Sequence, residues 1–196
     1  DSSFVSEFDG QGHKISNYRI TEESFDAEAV NALDVSVKIL HVGFFGRVNN
    51  GLMSGNIKND LGLEQDACNI HDVTFSNVTI KIDVDSENYK FDSNVAVYAG
   101  FVTGYLDSGN WHTVGRTNLY NITVENSTMD IDANKSHVGG IIGYEDIAHN
   151  YAGLRYNLNV NNCEIYGVSS RGTNDTLVYV GGLVGRFKGN NSGGAD

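Results

Sequence analysis

The sequence predicts an all-β chain wound as a right-handed parallel β-helix, a β-solenoid. Two recurring patterns and one absence predict it. A glycine–hydrophobe signature occurs four times: Val42-Gly43-Phe44-Phe45-Gly46, Ala99-Gly100-Phe101-Val102-Thr103-Gly104, Val138-Gly139-Gly140-Ile141-Ile142-Gly143 and Val180-Gly181-Gly182-Leu183-Val184-Gly185. The closing glycines are 58, 39 and 42 residues apart, a spacing that marks a repeat architecture. Between the signatures a second pattern aligns without gaps: Asp72–Ile80, Asn121–Met129 and Asn157–Ile165, with a shorter match at Ile15–Ile20. Proline is absent, which suits an uninterrupted hydrogen-bond ladder.

Each copy of the second pattern alternates apolar and polar residues, the period of a half-buried strand. Val73 and Phe75 point one way, Thr74 and Ser76 the other. After Asn77 the parity shifts, because Val78, Ile80 and Ile82 carry the apolar side. Asn17, Asn77, Asn126 and Asn162 share this position. They are expected at a corner between two strands, with amides turned inward and stacked as a ladder. The signature glycines Gly43, Gly46, Gly100, Gly104, Gly140, Gly143, Gly182 and Gly185 fall where a strand bends or another backbone comes close. Phe101 stands where Gly43, Gly140 and Gly182 stand in the other copies.

One repeat cannot bury its own apolar face, so neighbours must stack. A repeat near 40 residues is expected to hold two coils, giving roughly eight coils and a rod about 40 Å long at ~4.8 Å per coil. The right hand follows from the preference of parallel crossovers. The alternative is a β-propeller-like repeat array, whose blades recur at a similar period. Unequal spacing and in-register asparagines favour the solenoid. Residues 1–196 form one elongated domain, with an insertion near 51–70 in the longest interval. The chain starts at Asp1, almost inside a repeat, and reads as a piece or subunit of something longer. Neither end carries a recognisable capping helix.

The net charge of −12 argues against nucleic acid or an anionic membrane surface as partner. No run of 18 apolar residues exists to span a bilayer. Of six sequons, Asn134 and Asn174 are the expected glycosylation sites, because Asn77 and Asn126 are expected to face inward. Cys163 reads first as a small buried side chain, and a Cys68–Cys163 disulfide, the lesser reading, would bridge distant coils.

The six histidines, His13, His41, His71, His112, His137 and His149, show no metal-ligand spacing and read as surface or turn residues. Asp83-x-Asp85 and Asp130-x-Asp132 put Asp83 and Asp132 in one outward column. Such a column could share a hard cation or supply an acid/base pair, but solvated acids at strand ends are the plainer reading. No nucleophile elbow or phosphate loop is present, and no cofactor is expected. Arg47, Tyr105, Tyr144 and Arg186, each following a closing glycine, are expected to form an exposed aromatic–guanidinium column.

The signature resembles the GLUG-motif repeats of large bacterial surface and secreted proteins, most closely at Gly182-Leu183-Val184-Gly185. Phe8-Asp9-Gly10-Gln11-Gly12-His13-Lys14-Ile15-Ser16-Asn17 resembles the turn–strand unit that often precedes such repeats. The resemblance implies an extracellular or cell-surface stalk or adhesive region. The expected function is therefore a structural or adhesive module and not an enzyme: a rigid spacer, or a fibre subunit stacking end to end. Its partners would be further coils at both ends, with a glycan or surface protein as additional candidates. The alternative is a carbohydrate-active β-helix enzyme or glycan-binding module, using Asp83, Asp85, Asp130 and Asp132. An ice-binding solenoid would need long threonine rows, and Thr74, Thr79, Thr123 and Thr128 form only two rows of two.

Overall fold

The computed structural model describes residues 3–4, 6–49, 68–86, 90–92, 94–107, 117–147, 153–170 and 176–189. They form four coils of a parallel β-solenoid. The first coil holds β1 (Glu7–Asp9), β2 (Lys14–Ser16), β3 (Arg19–Thr21), helix α1 (Ala27–Asn31), β4 (Lys38–Val42) and β5 (Phe45–Asn49). The second holds β6 (Cys68–Ser76), β7 (Thr79–Asp83), β8 (Val95–Gly100) and β9 (Thr103–Asp107). The third holds β10 (Thr117–Glu125), β11 (Thr128–Asp132), β12 (Lys135–Gly139) and β13 (Ile142–Ile147). The fourth holds β14 (Arg155–Asn161), β15 (Glu164–Val168), β16 (Leu177–Gly181) and β17 (Val184–Gly189).

Every strand pairs in parallel with its equivalent one coil away. The sheets run β1/β2-β6-β10-β14, β3-β7-β11-β15, β4-β8-β12-β16 and β5-β9-β13-β17. A propeller blade would instead be built from the strands of a single repeat, so the propeller alternative is excluded. One expectation is corrected. Each repeat is one coil of four strands, not two coils, so four coils replace the expected eight. At ~4.8 Å per rung the stack rises about 15–20 Å, not 40 Å.

The corner asparagines explain the parity shift. Asn17, Asn77, Asn126 and Asn162 have φ of 61°, 53°, 52° and 50°. Asparagine tolerates this left-handed region better than most residues. All four are exposed, so the expected inward ladder faces outward; Asn162 Nδ2 donates to Asn126 Oδ1 at 2.7 Å. A left-handed residue reverses the alternation and swings its own side chain out of the corner. A second such column lies inside the first sheet. Asp72, Asn121 and Asn157 have φ of 52°, 53° and 49°, and the strand register skips them. Asn157 Nδ2 donates to Asn121 Oδ1 at 2.9 Å, and Asn121 Nδ2 to Asp72 Oδ1 at 2.8 Å.

The core is a stack of like positions. Val73 lies on Ile122, Phe75 on Val124, Ile80 on Met129 and Ile82 on Ile131, all buried. At the signature corner the third and fourth sheets approach so closely that a Cβ on Gly104 would fall against the Val42 nitrogen and the Tyr98 carbonyl oxygen. The first coil turns this corner with one residue fewer. Val42 pairs with Ala99 and Phe45 with Thr103, so Gly43 and Phe44 face Gly100, Phe101 and Val102. Gly43 therefore stacks on Gly100 and is not the counterpart of Phe101, as the sequence alignment had it. Phe101 is fully buried, filling the core at the corner.

The first coil also carries cover that sequence reading missed. Phe4 bridges Val48 along the edge of β5 and its ring lies 4.6 Å from Phe45. Phe25, and Ala27 and Val30 of α1, rest on the core. The insertion is shorter than expected, since residues 68–70 belong to β6; its residues 51–67 lie outside the described residues.

Two substitutions test this frame. Phe75→Ala, deleting a fully buried ring, is expected to cost about 3–5 kcal/mol in chemical denaturation. Gly104→Ala has backbone on two sides and no flexible neighbour to yield, so it should destabilise by several degrees in Tm or more. A fold tolerating Gly104→Ala with unchanged Tm would contradict the close approach of the two sheets.

Candidate functional site

Two side-chain constellations stand out on this scaffold. The first lines the corner between the third and fourth sheets. On the third sheet, strand register stacks His41, Tyr98, His137 and Tyr179. On the fourth it stacks Arg47, Tyr105, Tyr144 and Arg186. The two columns converge. Tyr98 lies 4.9 Å from Tyr144 at an interplanar angle of 18°, and Tyr105 lies 5.6 Å from Tyr144 at 8°. His137 sits 4.6 Å from Tyr98 and 5.1 Å from Tyr179. Arg47 caps Tyr105 at 5.0 Å, and Arg186 lies over Tyr179 at 5.2 Å.

The aromatic–guanidinium column is therefore real, but the expected exposure is not. Tyr144 is 7% exposed and Arg47, Tyr105 and Arg186 are half-buried. The ring faces are spent on one another rather than offered to a sugar. The partner column of histidines and tyrosines was not foreseen, because nothing in the local sequence says that two successive strands turn these side chains toward each other.

The histidines here stay neutral. Burial, then the Arg47 cation, lowers His41 to about 4. Burial, then Arg186, lowers His137 to about 4. His137 is 5% exposed and its Nδ1 has no hydrogen-bond partner among the described residues. Burial raises Tyr98 and Tyr105, so both remain phenols.

The second constellation lies on the first sheet, across the first two coils. Register places Asp9 of β1 beside His71 of β6. His71 Nδ1 lies 2.6 Å from Asp72 Oδ2 and 3.6 Å from Asp9 Oδ1, and its Nε2 lies 3.3 Å from Glu7 Oε1. The ring stacks on Tyr120 at 4.6 Å and 6°, and Tyr120 stacks on Tyr156 at 5.0 Å and 9°. His71 is only 7% exposed. Burial works against its charge, but hydrogen bonds to Asp72 and Glu7 and the field of Asp9 outweigh this, so its pKa lies above the ordinary value. The hydrogen bonds from His71 and Asn121 hold Asp72 below the usual carboxylate range. His71 and His137 thus correct the reading of all six histidines as surface or turn residues; His112 and His149 lie outside the described residues.

The other candidates separate. Asp83 and Asp132 are register neighbours as expected, but Val168 occupies the next rung. Asp83 Oδ1 accepts from the Asp85 amide and Asp132 Oδ1 from the Ser170 amide, each at 2.8 Å. Asp130 lies beside Lys81 and Tyr166. Asp83 and Asp132 hold turn amides, and among the described residues no carboxylate on the fourth coil continues their column. Asn134 is 6% exposed and accepts from Ser169 Oγ, so it is a poor glycan acceptor; Asn174 lies outside the described residues. Asn77 and Asn126, set aside as inward, are the exposed sequon asparagines among the described residues. Cys68 and Cys163 are free thiols two coils apart, beyond disulfide reach, which corrects the pairing considered above.

The histidine columns carry a pH prediction. Above pH 6.5 His137 is neutral whether the chain is folded or not, and stability is unaffected. As pH falls from 6.5 towards 4, the unfolded chain takes the proton that the folded one refuses, so stability falls. His71 runs oppositely, its contribution being complete below the ordinary histidine value and lost as pH rises through the raised one. His137→Phe is expected to remove about 3 kcal/mol of the acid-side loss. Thermal melts of both proteins between pH 7 and 4 check this; parallel curves would refute it.

No protein-family model matches this chain, and searches of curated proteins and of solved structures return no significant match.

Proposed function

We propose that this chain is a structural or adhesive repeat module of the extracellular or cell-surface kind, a rigid spacer or fibre subunit whose last coil is the seat for another. The observation behind this reading is a break in burial along columns of equivalent residues. Val42, Ala99 and Val138 are fully buried, whereas Val180 on the same column is 49% exposed. Val48, Leu106 and Glu145 are buried, whereas Phe187 at the end of that column is 59% exposed. Leu154, Tyr156, Tyr166, Val168, Leu177 and Leu183 are exposed on the same coil. At about 25 cal/mol per Å² of apolar surface, covering this coil by one more rung is strongly favourable. Among the described residues its strands also end their sheets, a ladder edge of the kind that natural sheets normally shield.

The first coil is better covered, by Phe4, Phe25 and α1, so continuation is proposed for the fourth coil in particular and not equally for both ends. The GLUG-type signature agrees with a stalk or adhesive region. The carbohydrate-active alternative has less behind it: Asp83 and Asp132 hold turn amides, and the aromatic rings stack on one another. A non-catalytic role is the simpler reading.

Sedimentation velocity across a hundredfold concentration range tests this. The chain is expected to associate, and Val180→Lys with Phe187→Lys to suppress association while leaving Tm within a few degrees. A chain that stays monomeric throughout, with no difference between wild type and variant, would overturn the stacking proposal.

A further inference from the structure

We propose that Asp9, His71 and Asp72 form a binding site for a divalent transition ion of the Zn²⁺ type, with Glu7 orienting the imidazole. The three ligand atoms lie within 4.8 Å of one another. In a tetrahedral site with metal–ligand distances near 2.0–2.1 Å, ligand atoms sit about 3.3 Å apart. The His71–Asp9 distance of 3.6 Å already fits. The 2.6 Å His71–Asp72 distance is that of a shared proton, and need open by less than an ångström when an ion replaces the proton.

The two ring nitrogens are differently placed, and this distinguishes the arrangement from a plain acidic cluster. Nδ1 faces two carboxylates, while Nε2 faces a third, Glu7, at 3.3 Å. This is the carboxylate–histidine–metal pattern, in which the outer carboxylate fixes the tautomer and raises ligand basicity. The ring is held by Tyr120 at 4.6 Å. Asp72 is held through its other oxygen by Asn121, at the end of the Asn157–Asn121 amide ladder. Both ligands on the second coil are thus preorganised, and Asp9 brings the third from the first coil.

Charge points the same way. Among the described residues the ion pairs of Glu7, Asp9 and Asp72 are all made with His71. Three carboxylates therefore surround one imidazole and concentrate negative charge at one spot. One imidazole nitrogen with two carboxylate oxygens suits a borderline ion such as Zn²⁺ better than Ca²⁺, which takes six to eight oxygens. Asp9 is exposed, leaving the outer coordination position to water. The site would clamp the first coil to the second, a structural role independent of whether another coil docks on the fourth.

The test uses the full chain stripped with chelator and titrated with Zn²⁺ by calorimetry at pH 7.5. The expected result is one high-affinity equivalent, a rise in Tm, and proton release seen as a buffer-dependent enthalpy. Asp9→Asn changes an exposed side chain and should fold; it is expected to weaken binding at least about tenfold. His71→Gln should abolish the high-affinity equivalent. Absence of that equivalent in the wild type, or a loss of under tenfold in Asp9→Asn, would overturn the proposal. If His71→Gln fails to fold, Asp9→Asn still decides.

Discussion

In-register parallel stacking is the constraint on which the rest of this molecule depends. Each strand satisfies its backbone donors and acceptors with the equivalent strand one coil away, so equivalent residues must lie over one another. What a residue does is then set by its column as much as by its neighbours in sequence. Apolar columns become the core. Asparagine columns become amide ladders at the left-handed corners. Aromatic columns become face-to-face stacks. The glycine column is forced by the same rule, since two sheets can be folded tightly together only if every rung lacks a side chain at the crossing.

The rule also creates the histidine environments. His41 and His137 lie in a stack of tyrosine rings facing arginines, so the imidazoles are desolvated beside positive charge and stay neutral. His71 lies in another aromatic stack but among carboxylates, and its charge is favoured. Similar ring packing thus shifts the imidazoles in opposite directions: burial, reinforced by arginine, lowers His41 and His137, whereas carboxylate hydrogen bonds and charge outweigh burial at His71. Stacking has an end effect too. A solenoid buries a rung only when another lies on it, so Val180 of the fourth coil remains exposed although it continues the buried column of Val42, Ala99 and Val138.

Much of the architecture was legible in the chain. The gapless match of Asp72–Ile80 to Asn121–Met129 and Asn157–Ile165 is the strand register itself, residue for residue. The parity shift after Asn77 marked a true corner. Its direction was misjudged, because alternation distinguishes the two faces of a strand but says nothing about a residue with positive φ between them. The second left-handed column, Asp72, Asn121 and Asn157, was visible as an Asn/Asp position heading each copy and went unused. Coil count was misjudged because a period of about 40 residues does not state how many strands share it.

Period, strand faces, corner positions and the identity of each stacked column are local properties, and the amino-acid order specified them. The meeting of His71 with Asp9, or of Tyr98 with Tyr144, is not local. It arises from register between coils and from the angle at which successive sheets meet, both of which are set by backbone pairing and close packing across dozens of residues. For that reason the two constellations, the ionisation of their histidines and the uncovered fourth coil emerged from the folded molecule and not from its sequence.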